Sequence, residues 1–257
     1  MTRVLLAGES WSTTSVHTKG FDSFTTSHYE EGGAAFLEAL ADAGHSVAFL
    51  PNHLASRDFP STAAELEAFD VVVLSDIGAN TLLLPARTFV RGQATPNRLR
   101  LLADWVATGG ALLMVGGYLS FQGIESKANY ANTPLAQVLP VEMERGDDRE
   151  ETPQGARPQV VQDHPVTQGL EEPWPDVLGY QRLTAKAGAQ TLVEVDGRPL
   201  LVVGQHGDGR VMAFASDMGP HWLPDAFLAW PGYARLWQQS VAWLAATAGP
   251  ATQAAGA

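Results

Sequence analysis

The chain has 257 residues, 45% of them hydrophobic and 17% charged; 16 Lys and Arg stand against 28 Asp and Glu, a formal net charge of −12. That much apolar material builds a sizeable core, while the acidic surface argues against nucleic acid or an anionic membrane as a partner. The absence of cysteine excludes disulfides, thiolate metal sites and a Cys nucleophile.

The opening run Val4-Leu5-Leu6-Ala7-Gly8 is too short for a signal sequence and reads as a first buried strand. A polar segment continues from Glu9 to His28, read as a long loop. A helix is expected from about Tyr29 to Ala43, stopped by Gly44. His45–Leu50 is a second strand, Ser61 caps a short helix, and Asp70–Leu74 is a third strand ending in Ser75-Asp76. Thr95-Pro96 reads as the start of a helix that Gly109-Gly110 ends, and Ala111–Val115 is the fourth strand. Four strand-helix alternations define a parallel sheet with helices on both faces.

The second half changes character. Asp196-Gly197 between two apolar runs marks a hairpin, and Gly207-Asp208-Gly209 a second turn, giving an antiparallel extension of the same sheet up to Ala215. Arg145–Pro158 is charged and reads as an exposed loop. Trp230–Ala246 is the last helix. The expected class is therefore α/β, a three-layer, doubly wound, mostly parallel sheet of flavodoxin-like type. It is expected as one domain over residues 1–248, with a disordered tail at 249–257. No stretch approaches the roughly 20 apolar residues of a membrane span, so a cytoplasmic protein is expected.

In such a sheet, ligands bind beyond the carboxyl ends of the strands. That rule selects Glu9, Trp11, His17 and Lys19 after the first strand, and Asp76, Asn80 and Arg91 after the third. Gly117, Tyr118 and Ser120 come after the fourth, and Asp217, His221 and Trp222 after the last. The segment Gly116-Gly117-Tyr118-Leu119-Ser120 has the form of a sharp strand-to-helix turn with Tyr118 where a nucleophile would stand. With an ordinary pKa of about 10, a tyrosine is a poor acyl acceptor. His17 and His28 lack a ligand-spaced partner, so no metal and no cofactor is expected. Glu9, Tyr118 and His221 are expected to share one crevice.

Several segments resemble a known family: Ala7-Gly8-Glu9-Ser10-Trp11, Lys19-Gly20-Phe21-Asp22, Leu50-Pro51-Asn52-His53, Leu74-Ser75-Asp76-Ile77-Gly78-Ala79-Asn80, Thr95-Pro96-Asn97-Arg98, Gly116–Gly123, His164-Pro165-Val166-Thr167 and Ser216–Trp222. Over residues 3 to 246 the chain resembles the glutamine amidotransferase-like family, related to ThuA-like trehalose-utilisation proteins and to the middle domain of some bacterial beta-galactosidases. The resemblance implies the class I glutamine amidotransferase-like fold. It does not imply glutaminase activity, because such enzymes use a Cys-His-Glu triad and this chain has no cysteine. The expected function is binding of a small polar or sugar-like metabolite at the carboxyl edge. The alternative is a hydrolase or lyase acting on such a metabolite with Glu9 and His221 as acid and base, Tyr118 and Ser120 completing the candidate catalytic set. Trp230, Tyr233, Trp237 and Trp243 crowd the last helix, which points to a homo-oligomer.

Overall fold

Arg3–Gly8 (β1) is apolar and buried on both faces after its first residue, which only a central parallel strand allows. It pairs in parallel with Ser46–Leu50 on one side and Val71–Ser75 on the other, so that Val4 lies between Val47 and Val71. The computed structural model describes residues 1–246, and the tail expected at 249–257 lies outside them.

The strands in chain order are β1, then β2 (Ser10–Lys19), β3 (Asp22–Glu31), β4 (Ser46–Leu50), β5 (Val71–Ser75), β6 (Ala111–Val115) and β7 (Val141–Met143). They continue with β8 (Arg149–Ala156), β9 (Gln159–Val160), β10 (Val177–Gln181), β11 (Leu183–Ala185), β12 (Gln190–Val195), β13 (Arg198–His206) and β14 (Gly209–Phe214). Eight of them form one sheet in the order β4-β1-β5-β6-β14-β13-β12-β9. The first five positions run parallel, and β13, β12 and β9 extend the sheet antiparallel. The expected doubly wound α/β class and its antiparallel extension are both present. The chain moves outward from β1 to β4, then back across to β5. Right-handed crossovers therefore put helix Ala34–Asp42 on one face and the connection from β4 to β5 on the other.

On the first face the last helix, Pro231–Ala245, packs against Ala34–Asp42. Phe36 and Phe214 meet the fully buried Trp237 edge-on, with ring centroids 5.2 Å away in each case. Tyr233 is also buried, and the Arg210 guanidinium covers Trp243 at 4.9 Å. The aromatic crowding that suggested an oligomer is thus taken up inside the chain's own core.

Five other local readings differ from the structure. Residues 9–28 are not a loop: β2 and β3 form a hairpin of ten consecutive pairs, from Ser10↔Glu31 to Lys19↔Asp22. Both its faces are exposed, so the strands lack the apolar alternation that marks a half-buried strand. The next helix accordingly starts at Ala34, not Tyr29. The short helix Ala63–Leu66 is capped by Thr62, not Ser61, in a capping box with Glu65. Asn97, not Thr95, caps helix Arg98–Ala107 by accepting the Arg100 N–H. Finally, Arg145–Pro158 contains β8, which pairs with β10.

Replacing Trp237 by Ala should cost about 3–5 kcal/mol, the range for emptying a large aromatic site in a packed core. Urea unfolding followed by far-UV circular dichroism measures it. A loss below about 1 kcal/mol would mean that the two layers do not depend on this ring.

Candidate functional site

Four chain segments leave the carboxyl edge of the parallel strands together: Glu9 after β1, Asp76 after β5, Gly116–Ser120 after β6 and Asp217–Trp222 after β14. β5 lies between β1 and β6, so the crevice at the switch point is between Glu9 and Asp76, not between the first and fourth strands as the sequence suggested. Glu9 and Asp76 hold φ values of 49° and 45°, and His221 holds 91°. Left-handed backbone in non-glycine residues costs on the order of 1–3 kcal/mol each and concentrates at functional sites.

Glu9 is only 2% exposed. Its backbone N–H donates to the Ser75 carbonyl at 2.9 Å, and the Ser75 hydroxyl donates to Oε2 at 2.5 Å. A Cβ on Gly32 would come within 2.5 Å of Oε1, so the carboxyl sits directly beneath this backbone and a side chain there would have to displace it. Burial, and then repulsion from Asp76, push the Glu9 carboxyl up to about 8. Asp217 is raised well above the ordinary range by burial and by Glu9 and Asp76, although it accepts the Met218 and Gly219 N–H groups. Asp76 is raised chiefly by burial, against the Leu119 N–H that its Oδ1 accepts at 2.6 Å and the nearby His221. Three carboxyls so close do not all ionise at neutral pH.

Above them lies an aromatic rim. The Tyr118 and His221 rings stack with centroids 6.0 Å apart, Trp11 meets His221 at 5.0 Å, and Trp222 meets Tyr118 edge-on at 5.8 Å. Tyr118 is 39% exposed and His221 is exposed as well. The Arg149 guanidinium covers the Tyr118 ring at 4.7 Å, held by Asp147 at 2.9 Å. Trp222 Nε1 donates to Glu151 at 3.0 Å, and the buried Tyr233 hydroxyl ties down the Met218 carbonyl at 2.6 Å. Among the described residues, neither Asp76 Oδ2 nor the His221 ring nitrogens have a hydrogen-bond partner. A cleft of about 800 Å³, lined by Gln122, Asn129, Glu142, Arg145 and Lys186 among others, lies elsewhere. Glu9 and the cradle residues above it, Trp11, Asp76, Tyr118 and His221, do not line that cleft.

The structure thus brings together Trp11, Asp76, Tyr118 and His221 at the surface, with Glu9, Gly117, Asp217 and Trp222 buried beneath rather than lining it. It does not bring in His17 or Lys19, which stand toward the far end of the hairpin. There His17 stacks on Phe24 and the Lys19 ammonium lies 5.8 Å from the same ring. Asn80 and Arg91 are exposed, on helix Ala79–Leu83 and in the loop before Arg98. Ser120 is 2% exposed, and its Oγ accepts the Asp76 N–H at 3.0 Å, so it braces the turn and is no free nucleophile. The segment after β6 is also not a strand-to-helix elbow: residues 116–123 loop back, the Ile124 N–H closing onto the Tyr118 carbonyl at 2.9 Å. The buried Asp148 holds that loop by accepting the Gln122 and Gly123 N–H groups at 3.0 and 2.7 Å, and burial raises its carboxyl to about 6. Asp148, Arg149 and Glu151 went unnoticed in the sequence because their segment's charge masks a strand whose partner, β10, is distant along the chain. Among the described residues no group of three or more His, Asp or Glu is disposed to hold a metal ion.

A family model described as "Putative glutamine amidotransferase" matches residues 3–246, and the chain belongs to this family. Two solved structures from Salmonella typhimurium are similar over their whole length. The cytoplasmic protein STM3548 is 44% identical with a TM-score of 0.92, over 95% of this chain and 99% of that one. The cytoplasmic protein STM1381, from strain LT2, is 48% identical with a TM-score of 0.91, over 94% and 99%. A ThuA-like protein from Parabacteroides merdae shares the fold at 12% identity and a TM-score of 0.56, over 95% and 90%. No curated protein matches the sequence. No helix of the described residues is long and apolar enough to cross a membrane.

This geometry has two testable consequences. Because Glu9 holds its proton more tightly when folded, its contribution to stability is complete below the ordinary carboxyl pKa of about 4.3. It is lost as pH rises toward about 8. Glu9→Gln should therefore melt higher than the parent at pH 9 and flatten the decline between pH 5 and 9, at about 2–4 °C per kcal/mol. Parallel melting curves for the two proteins across that range would contradict the burial argument. Gly117 has φ 131°, and a Cβ there would lie 3.0 Å from Asp76 Oδ1. Gly117→Val should lower the melting temperature by several degrees, and an unchanged value would show that the turn tolerates a side chain.

Proposed function

We propose that the chain binds a small, uncharged, hydroxyl-rich metabolite of sugar or polyol type in the cradle between Trp11, Asp76, Tyr118 and His221, and that it does not release ammonia from glutamine. One observation carries this reading: Asp76 Oδ2 and the His221 ring nitrogens have no partner among the described residues and stand beside exposed aromatic faces. Polar atoms left open beside apolar rings suit a ligand that presents hydroxyls on one side and C–H groups on another. The buried acidic cluster beneath disfavours an anion. Glutamine hydrolysis lacks its nucleophile, since there is no cysteine and Ser120 is engaged. A cytoplasmic location belongs to the same proposal, supported by the two Salmonella relatives described as cytoplasmic proteins.

Turnover by a hydrolase or lyase is the second reading. It is favoured by Glu9, which retains a proton at neutral pH behind Asp76. In that case His221 and Asp76 would touch the substrate, and Glu9 would set their charge from below.

Tryptophan fluorescence titrated with a panel of neutral monosaccharides and polyols, and with L-glutamine, tests the proposal. At least one panel member should quench with saturation, and Asp76→Asn and Trp11→Ala should each weaken it at least tenfold. Ammonia release from glutamine should stay at the buffer rate. Saturation undiminished in both variants, or no response across the panel, would overturn the reading. Consumption of a bound panel member, abolished in His221→Ala, would select turnover.

A further inference from the structure

The β2–β3 hairpin is anchored at its root and touches little beyond it. Asn52 donates from Nδ2 to the Ser10 carbonyl at 2.7 Å and from its backbone to Ser10 Oγ at 2.8 Å, while Tyr29 packs edge-on against His53 and Trp11 against His221. Past the root the two strands hold only each other. Val16, Phe24 and Phe21 at the tip are 70%, 50% and 110% exposed. At about 3.3 Å per residue the ten pairs form an arm roughly 33 Å long. A two-stranded ribbon of that kind is marginal by itself, and an unprotected edge is a template for another strand.

The register shows which atoms are open. Gly32 donates to the Glu9 carbonyl, so alternate pairs from there outward are hydrogen-bonded within the hairpin. Ser10, Ser12, Thr14, Val16 and Thr18 then turn their N–H and C=O outward on the β2 edge. Asn52 occupies the first carbonyl; the other four residues offer about eight groups. The β3 edge differs in charge. Asp22, Glu30 and Glu31 lie on β3, whereas Lys19 is the one acidic or basic side chain of β2 other than His17.

We propose that this arm pairs through its β2 edge with the β2 edge of a second copy of the chain, antiparallel about a two-fold axis, forming a four-stranded sheet. The register that uses all the open groups sets Ser12 against the partner's Thr18 and Thr14 against the partner's Val16, with Ser15 facing the partner's Ser15 on the axis. Its eight or so hydrogen bonds fall within the usual complement of a stable interface, about ten. Charge decides between the edges. In this register Lys19 lies opposite the partner's Trp11, in the same row as the partner's Glu30, which Trp11 Nε1 already contacts within one chain at 2.9 Å. In the equivalent register on the other edge, Ser23 against the partner's Tyr29, pairing through β3 would instead set Asp22 against the partner's Glu30, a like-charge pair that destabilises a sheet. The isologous contact closes as a dimer. It also carries Lys19 to the rim of the partner's cradle, which it does not reach in its own chain. The pairing stands independently of what the cradle binds.

The chain has no cysteine, which makes the test direct. Sedimentation velocity at micromolar concentration should give a two-chain species. Thr14→Pro, which deletes one outward N–H, should weaken association more than tenfold. Opposed residues at a non-hydrogen-bonded pair have Cα atoms about 4.5 Å apart, within disulfide range. Ser15→Cys should therefore form a covalent dimer on mild oxidation, while Thr26→Cys on β3 should not. A single-chain species in the parent protein, dimerisation untouched by Thr14→Pro, cross-linking by Thr26→Cys in preference to Ser15→Cys, or no cross-link by either would each overturn the proposal.

Discussion

The hydrogen bond from the Ser75 hydroxyl to Glu9 Oε2, at 2.5 Å, joins the ends of β1 and β5, the parallel neighbours at which the strand order reverses. Glu9 directly follows β1, buried after its first residue, and Ser75 ends the fully buried β5, so the carboxyl is almost wholly withdrawn from water. A buried carboxylate without a cation is costly. The protein meets that cost by holding the proton, and the raised Glu9 and Asp217 carboxyls express this. Both Glu9 and Asp76 hold left-handed backbone just past their strands.

The rest of the edge depends on that arrangement. Asp76 accepts the Leu119 N–H and donates its own to Ser120, which fixes the loop that carries Tyr118. Asp148 fixes the same loop from its other end. Tyr233, on the last helix, fixes the segment that carries His221 through the Met218 carbonyl. The exposed rings and unpartnered polar atoms are therefore mounted on elements braced by the core, which is the condition for a preorganised binding surface. Family membership alone would not distinguish such a surface from a glutaminase site, since fold does not determine chemistry.

The parallel half of the fold was legible because each strand is an unbroken apolar run between a helical pattern and a turn. Val71–Ser75 and Ala111–Val115 are buried at every position, and only strand geometry suits runs that short. Of the site, Asp76, Tyr118, His221 and Trp222 are found by taking the residues just past the carboxyl end of each strand. The same rule over-selected His17 and Lys19, because nothing in a Ser/Thr-rich, two-faced polar stretch tells a loop from a hairpin except its content of β-branched residues. It missed Asp148 and Arg149, whose place depends on β8 meeting β10, a pairing set by tertiary contact and not by local pattern.

The central claim is that Glu9 stays protonated at neutral pH under the cradle. Difference infrared spectroscopy of the parent protein against Glu9→Gln, carried through a pH titration, reports that proton through the carbonyl stretch of the neutral carboxyl. A neutral-acid band is expected at pH 7 that is absent from the variant and fades around pH 8. A Glu9 signal already in its carboxylate form at pH 6, titrating near the ordinary value of about 4.3, would contradict it.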